Sequence, residues 1–323
     1  MLALGQLYSS IESDLAECMR IFRDELICDQ SFISDLCRHV DQFHGKLLRP
    51  AYLLLTAQAT GGVRPEHHVL GAVVEMVHIA TLVHDDILDE ADIRRRAATV
   101  NRLWGNESAV LTGDFLFSHA FTLCSSLQSQ FASRLIGQTA VTLCEGELMQ
   151  CSGRGNFDLS EGQYYDIITR KTASLIGACG LLGAKFAGAD EGVVRAMKET
   201  GIALGIAFQI VDDVLDLTGD EVETGKSLGR DVHKGKLTLP LIRFLSTCPR
   251  SQHAQALSLL RGDDPQRYRQ VARMLSDSDA IEYANRAATD QVHAALDRLR
   301  SLPPSDARAS LLAMAEFVLA RRA

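Results

Sequence analysis

One acidic pattern occurs twice in the 323-residue chain, as Asp85-Asp86-Ile87-Leu88-Asp89 and as Asp212-Asp213-Val214-Leu215-Asp216. Positions i, i+1 and i+4 of an α-helix share one side, so each cluster projects three carboxylates together from the end of an apolar helix. Carboxylates at a helix C-terminus repel one another and oppose the macrodipole, and such an arrangement calls for a cation. An all-oxygen donor set suits magnesium, which keeps several waters and is completed by substrate phosphates. A single cluster of this kind can be a solvated helix end. Two of them, in the apolar frames Leu82-Val83-His84-Asp85-Asp86 and Ile210-Val211-Asp212-Asp213, are expected to hold metals. If the two face each other, those metals bridge them to an anionic ligand.

Basic residues sit in the breaks around these helices, at Lys46 and Arg49, at Arg94, Arg95 and Arg96, at Gly225-Lys226 and at Lys234-Gly235-Lys236, while Arg170-Lys171-Thr172 lies within a helix otherwise apolar on that side. Guanidinium forks and ammonium groups are the usual protein partners of phosphate. The net charge of −8 argues against nucleic acid or an anionic membrane surface as the main partner. It does not exclude an anionic small substrate, which a local group of cations can receive.

The elements that position these residues read as helices. Apolar residues recur at helical spacing over 7–26, 30–43, 51–60, 66–89, 108–127, 131–150, 164–188 and 191–217, and Pro240 opens a C-terminal helical region. No proline falls between Glu66 and Leu239, as long helices require. No alternating strand pattern of useful length occurs, and no linker divides the chain. The expectation is an all-α protein with a single domain over 1–323. The eight cysteines lack CxxC spacing and read as reduced thiols in a cytoplasmic protein. The N-terminus acquires acidic residues early and has no basic start followed by a long apolar run, so no signal peptide is expected. The apolar run 69–83 is interrupted by Glu75 and His78, so no transmembrane segment is expected.

At this point the residues resemble a family, the trans-type polyprenyl diphosphate synthases, or head-to-tail prenyltransferases. The resemblance rests on GKLLRP, VHIATLVHDDILDEADIRR, VLTGDFLFSHAF, CEGELMQ, KTASLI, GIAFQIVDDVLDLTGD and GKSLGRDVHKGKLTLPLI, which run in the family order from Gly45 to Ile242. It implies the isoprenoid synthase fold, a bundle of mostly antiparallel helices around a deep cavity, in a homodimer. It also implies condensation of isopentenyl diphosphate with an allylic diphosphate to a long-chain all-trans product, with Mg2+ as cofactor. By resemblance, Asp85, Asp86, Asp89, Asp212, Asp213 and Asp216 bind the metal ions, the outer aspartates of the first cluster most directly. Arg94, Lys171 and Lys226 hold the allylic diphosphate, with Gln209 and Lys236 assisting, and Thr172 and Gln209 shield the allylic cation. Lys46, Arg49, His78 and Arg95 form the pocket for isopentenyl diphosphate. One departure stands out: where the family usually has Gly-Lys-Pro after the two arginines, this chain has Arg96-Ala97-Ala98, without the glycine that permits a positive φ.

Short-chain members of the family carry aromatic residues four or five places before the first aspartate. Here those places hold Thr81 and Ala80, with Val77 one turn earlier, all small. Each turn descends about 5.4 Å, so an open tunnel and a heptaprenyl to decaprenyl product are expected. Phe117 and Phe121 are candidates for the tunnel floor. A metal-dependent phosphohydrolase using His84-Asp85 leaves the second cluster without a role, and Glu75-x-x-His78 has no matching partner for a di-iron bundle site. A terpene cyclase normally replaces the second aspartate cluster. A non-catalytic partner subunit tends to lose one or both, and this chain keeps both.

Overall fold

Helix boundaries follow the sequence punctuation closely. The computed structural model describes residues 7–95, 97–219, 228–262, 264 and 266–321. Its helices are α1 (Glu12–Glu25), α2 (Ser31–Val40), α3 (Leu48–Thr60), α4 (Pro65–Leu88), α5 (Val100–Ser125), α6 (Gln130–Ser152), α7 (Glu161–Ile168), α8 (Ser174–Ala187) and α9 (Glu191–Thr218). After a single helical turn at Arg230–His233 come α10 (Leu239–Thr247), α11 (Arg250–Arg261), α12 (Arg267–Ser276), α13 (Ala280–Arg300) and α14 (Asp306–Leu319). Among the described residues the protein is all-α apart from a short antiparallel ribbon, Ile93–Arg94 against Ala97–Ala98.

The chain divides into two compact units. The first contains the described residues up to Ala140, with Leu175–Glu199 and Leu299–Ala313; the second contains Val141–Ser174, the described part of Thr200–Arg298, and the chain from Met314 onward. In the first unit, α4 begins with Pro65 at its first position, where the missing N–H costs nothing. The His67 ring closes the cap: its Nδ1 accepts from the Arg64 N–H at 2.8 Å, and its Nε2 lies 3.1 Å from the Gly183 carbonyl. Val73, Val74, Met76, Val77, Ile79 and Ala80 are buried along α4, which packs along α5. Each large aliphatic side chain so buried contributes about 1.5–3 kcal/mol.

Two elements depart from the sequence reading. Helix α5 starts at Val100 rather than near 108, because Gly105 takes φ 84° and lets one helix bend into the next. The expected helix over 164–188 starts at Glu161, capped reciprocally by Ser160 and Gln163, and is broken by one π-helical turn, Thr169–Ala173. That turn contains Lys171 and Thr172.

Candidate active site

In the first unit, the cluster at the end of α4 is already partly paired. Arg94, on the ribbon that follows, forks onto Asp86 with Nε to Oδ2 at 2.8 Å and Nη2 to Oδ1 at 2.7 Å. Asp86 is 2% exposed, so this bidentate pair neutralises a carboxylate that has left water. Asp85 and Asp89, one turn apart, remain half-buried at the mouth of the helix. His84, just before the cluster, lies 3.1 Å from the Val110 carbonyl on α5 and stacks on Phe117, with ring centroids 6.2 Å apart. Phe117 therefore supports His84, while Phe121 is 37% exposed.

Four of the cations assigned by resemblance gather nearby in the same unit. Arg49 Nη1 donates to His78 Nε2 at 3.1 Å, so the imidazole acts as acceptor. Burial, then the charges of Arg49, Arg95 and Arg94, hold His78 well below the usual imidazole range. Burial lowers Arg49 as well, and its Nε is enclosed without a hydrogen-bond partner. The Arg95 guanidinium donates to the Phe43 carbonyl, and burial lowers it too. Lys46 is exposed beside them. Arg49 and Arg95 are thus two desolvated, mutually repelling cations, an arrangement that favours an anion. Arg95 holds φ +50°, and Leu47, at the start of α3, holds φ +49°. Left-handed backbone costs a non-glycine residue about 1–2 kcal/mol, and this strain lies at Arg95 and next to Lys46. Arg96, where the family usually has glycine, lies outside the described residues.

In the second unit, Asp213 is buried and accepts from the Tyr164 hydroxyl at 2.6 Å and from Gln209 Nε2 at 2.8 Å. The Gln209 carbonyl accepts from the Thr172 hydroxyl at 2.9 Å, so Thr172, Gln209 and Asp213 form one chain. Asp216 accepts the backbone N–H groups of Arg230 at 3.2 Å and Asp231 at 3.1 Å. Burial, then the charge of Asp231, pushes Asp216 up to about 7 and Asp213 well above the usual carboxylate range. The charge of Asp212 also raises both, so these carboxylates share one neighbourhood with Asp231. Asp212 faces Arg321 at 3.5 Å, whose guanidinium carbon lies 3.9 Å from the Phe208 ring centre.

Lys171 pairs with Glu147 and donates to Gln150 at 2.7 Å, both on α6. Two glycines bring the backbones close there. A Cβ on Gly146 would stand 2.5 Å from the Lys171 nitrogen, and one on Gly205 would stand 2.5 Å from Ala173 Cα. Lys236 Nζ lies 3.9 Å from Asp231 Oδ1. Lys226 lies outside the described residues. Among the described residues, no three His, Cys, Asp or Glu side chains are grouped to hold a metal by themselves. The donor chemistry nonetheless fits a divalent cation, because each cluster offers three carboxylates and no nitrogen or sulfur donor.

Sequence reasoning missed Tyr164, Glu147, Gln150, Asp231 and Arg321. Each touches a recognised residue only across the fold, although Asp231 sits in the segment GRDVHKGK and Glu147 and Gln150 in CEGELMQ. The small positions before the first cluster are where the helix places them: Val77 and Ala80 are buried, and the Thr81 hydroxyl donates to the His78 carbonyl at 2.7 Å.

Comparison with known proteins extends this picture. The polyprenyl synthetase family matches residues 30–277. A short chain isoprenyl diphosphate synthase from Methanothermobacter thermautotrophicus is 35% identical over 88% of each chain. A nonaprenyl diphosphate synthase from Mycobacterium tuberculosis is 34% identical over 97% of this chain and 94% of its own. Among solved structures, a polyprenyl synthase from Caulobacter crescentus, complexed with calcium and isoprenyl diphosphate, superposes with a TM-score of 0.93. It is 32% identical, with 99% of this chain and 98% of that one covered.

Proposed function

The chain belongs to the polyprenyl synthetase family and is a chain-elongating prenyltransferase; we propose that it condenses isopentenyl diphosphate with an allylic diphosphate to give a long-chain all-trans polyprenyl diphosphate. The observation that carries the site assignment is the pair of three-carboxylate clusters ending α4 and α9, an all-oxygen donor set that suits a divalent cation. The Caulobacter relative, solved with calcium and isoprenyl diphosphate, supports the same donor chemistry.

In this reading Asp85 and Asp89 of the first unit would hold magnesium, as would Asp212, Asp213 and Asp216 of the second, and Asp86 would do so only on releasing Arg94. Magnesium, when bound, supplies positive charge that stabilises the departing diphosphate. Arg94 and Lys171 exchange Asp86 and Glu147 for oxygens of the allylic diphosphate, so both are held in place before substrate arrives. Lys226 and Lys236 add to that charge. The Thr172–Gln209–Asp213 chain fixes the Gln209 amide, whose carbonyl dipole, with the Thr172 oxygen, shields the allylic cation. Lys46, Arg49, His78 and Arg95 hold isopentenyl diphosphate, whose double bond attacks that cation. The proton lost afterwards goes to the released diphosphate, and no protein base is assigned.

Small residues at Val77, Ala80 and Thr81 support a product in the heptaprenyl to decaprenyl range. The family match spans both units and supports a single functional domain over 1–323. A homodimer is supported by Leu103, Val110, Leu111 and Phe121, exposed apolar residues on α5, with Leu111 at 61%. Among the described residues no helix is long and apolar enough to cross a membrane. With eight free cysteines, that favours a reducing, cytoplasmic setting. The test is incubation of purified protein with magnesium, isopentenyl diphosphate and each allylic primer, followed by product sizing. Elongation beyond six isoprene units supports the reading, and products stopping at three or four contradict the length assignment.

A further inference from the structure

Glu75 is a buried carboxylate, 2% exposed in the middle of α4, that no step above uses. Such a group is almost never buried without partners. Its Oε1 lies 3.1 Å from His44 Nδ1, and the other ring nitrogen of His44 lies 3.2 Å from Asp41. The imidazole also packs edge-on against Phe22, with ring centres 4.6 Å apart. His44 belongs to the segment 41–47 that joins α2 to α3, so Glu75 ties that segment to α4.

The same segment organises the proposed pocket for isopentenyl diphosphate. The Phe43 carbonyl takes the Arg95 guanidinium. Gly45 leaves the space that guanidinium fills, since a Cβ there would stand 2.5 Å from Arg95 Cζ. The Lys46 carbonyl is fixed by the Tyr8 hydroxyl at 2.8 Å. One turn along α4 from Glu75, His78 receives Arg49. The negative charge of Glu75 also favours the cationic forms of Arg49 and Arg95, against the burial that disfavours them.

We propose that Glu75 is the positioning residue of the isopentenyl diphosphate subsite: through His44 it fixes segment 41–47, and by its charge it keeps Arg49 and Arg95 together before the diphosphate arrives. This rests on the function proposed above. Glu75 does not touch substrate; its effect passes through His44, Arg49 and Arg95.

The test compares wild type with Glu75→Gln, which keeps the shape and removes the charge, and with His44→Ala, which leaves the charge and removes the link. Steady-state kinetics are measured for isopentenyl diphosphate and for the allylic primer separately. Loss of a charge-assisted contact predicts a KM for isopentenyl diphosphate raised roughly tenfold or more in Glu75→Gln. The allylic KM and the kcat at saturating isopentenyl diphosphate stay within about threefold, a pattern that general loosening of the fold does not give. His44→Ala moves the same KM in the same direction by less, and it decides the matter if Glu75→Gln does not fold. Unchanged KM in both variants, or a parallel rise for both substrates, overturns the proposal. Failure of the wild type itself to consume isopentenyl diphosphate instead overturns the function on which it rests.

Discussion

Gly146→Ala probes how the second unit aims Lys171 and Thr172. Gly146 on α6 meets the π-helical turn backbone to backbone: an added Cβ would lie 2.5 Å from the Lys171 nitrogen, 2.8 Å from Arg170 Cβ and 2.9 Å from Lys171 Cα. Ordinary contact begins near 3.4 Å, so helix and turn must separate by about 0.9 Å. The opposing atoms are backbone or rooted in it and cannot swing away, and Gly205 closes off the far side of the turn against Ala173. Overpacking of this kind costs about 1–3 kcal/mol of stability. Displacing positioned groups by on the order of 1 Å costs about a hundredfold in rate. The variant is expected to remain folded and to lose about two orders of magnitude in kcat for isopentenyl diphosphate incorporation. Gly162→Ala is the control, because nothing lies within 4 Å of its added Cβ. Radiolabelled incorporation assays with thermal melts separate the two effects. Wild-type turnover in a folded Gly146→Ala protein would refute the claim that this close approach sets the lysine.

Three further outcomes follow from the same geometry. Ala80→Phe should shorten the product, as resolved by chromatography, at a stability cost of about 1–3 kcal/mol for overpacking a buried site; an unchanged distribution sinks the ruler reading. Tyr164→Phe removes the 2.6 Å donor to Asp213 and should weaken apparent magnesium activation by about tenfold, the usual scale for a partner behind a metal ligand; an unchanged magnesium titration contradicts that role. His78 is held well below its unfolded value near 6.5, so the unfolded chain binds the extra proton and stability falls as pH drops below that value. Between pH 7.5 and 5.5 the loss attributable to His78 is on the order of 1 kcal/mol, and His78→Gln should remove it in denaturant melts. Equal pH dependence of the two proteins counts against a neutral His78.

The fold was legible wherever one face of a helix repeats over several turns. Pro65 and the proline-free run behind it marked α4, and the paired aspartate clusters marked the ends of α4 and α9. The start of α5 was not legible, because the helix bends at Gly105, ahead of the regular apolar spacing over 108–127. Nor was the π-helical turn: Thr169–Ala173 has ordinary helical composition, and its geometry comes from close packing against Gly146 and Gly205. The site was half legible. Charged residues in short motifs announced themselves, whereas Tyr164, Glu147 and Glu75 gain meaning from partners 49, 24 and 31 residues away. The sequence carries a residue type, and only packing reveals that Asp86 faces an arginine while Asp213 faces a phenol.

The central claim is that this chain, acting alone, elongates an allylic diphosphate. The most direct measurement is isopentenyl diphosphate consumption by the purified protein with each allylic primer, with magnesium present and with magnesium chelated. The account predicts consumption with at least one primer, abolished by chelation and restored on adding the metal back. No consumption with any primer under magnesium would contradict it and would leave the chain as the partner subunit of a heteromeric synthase.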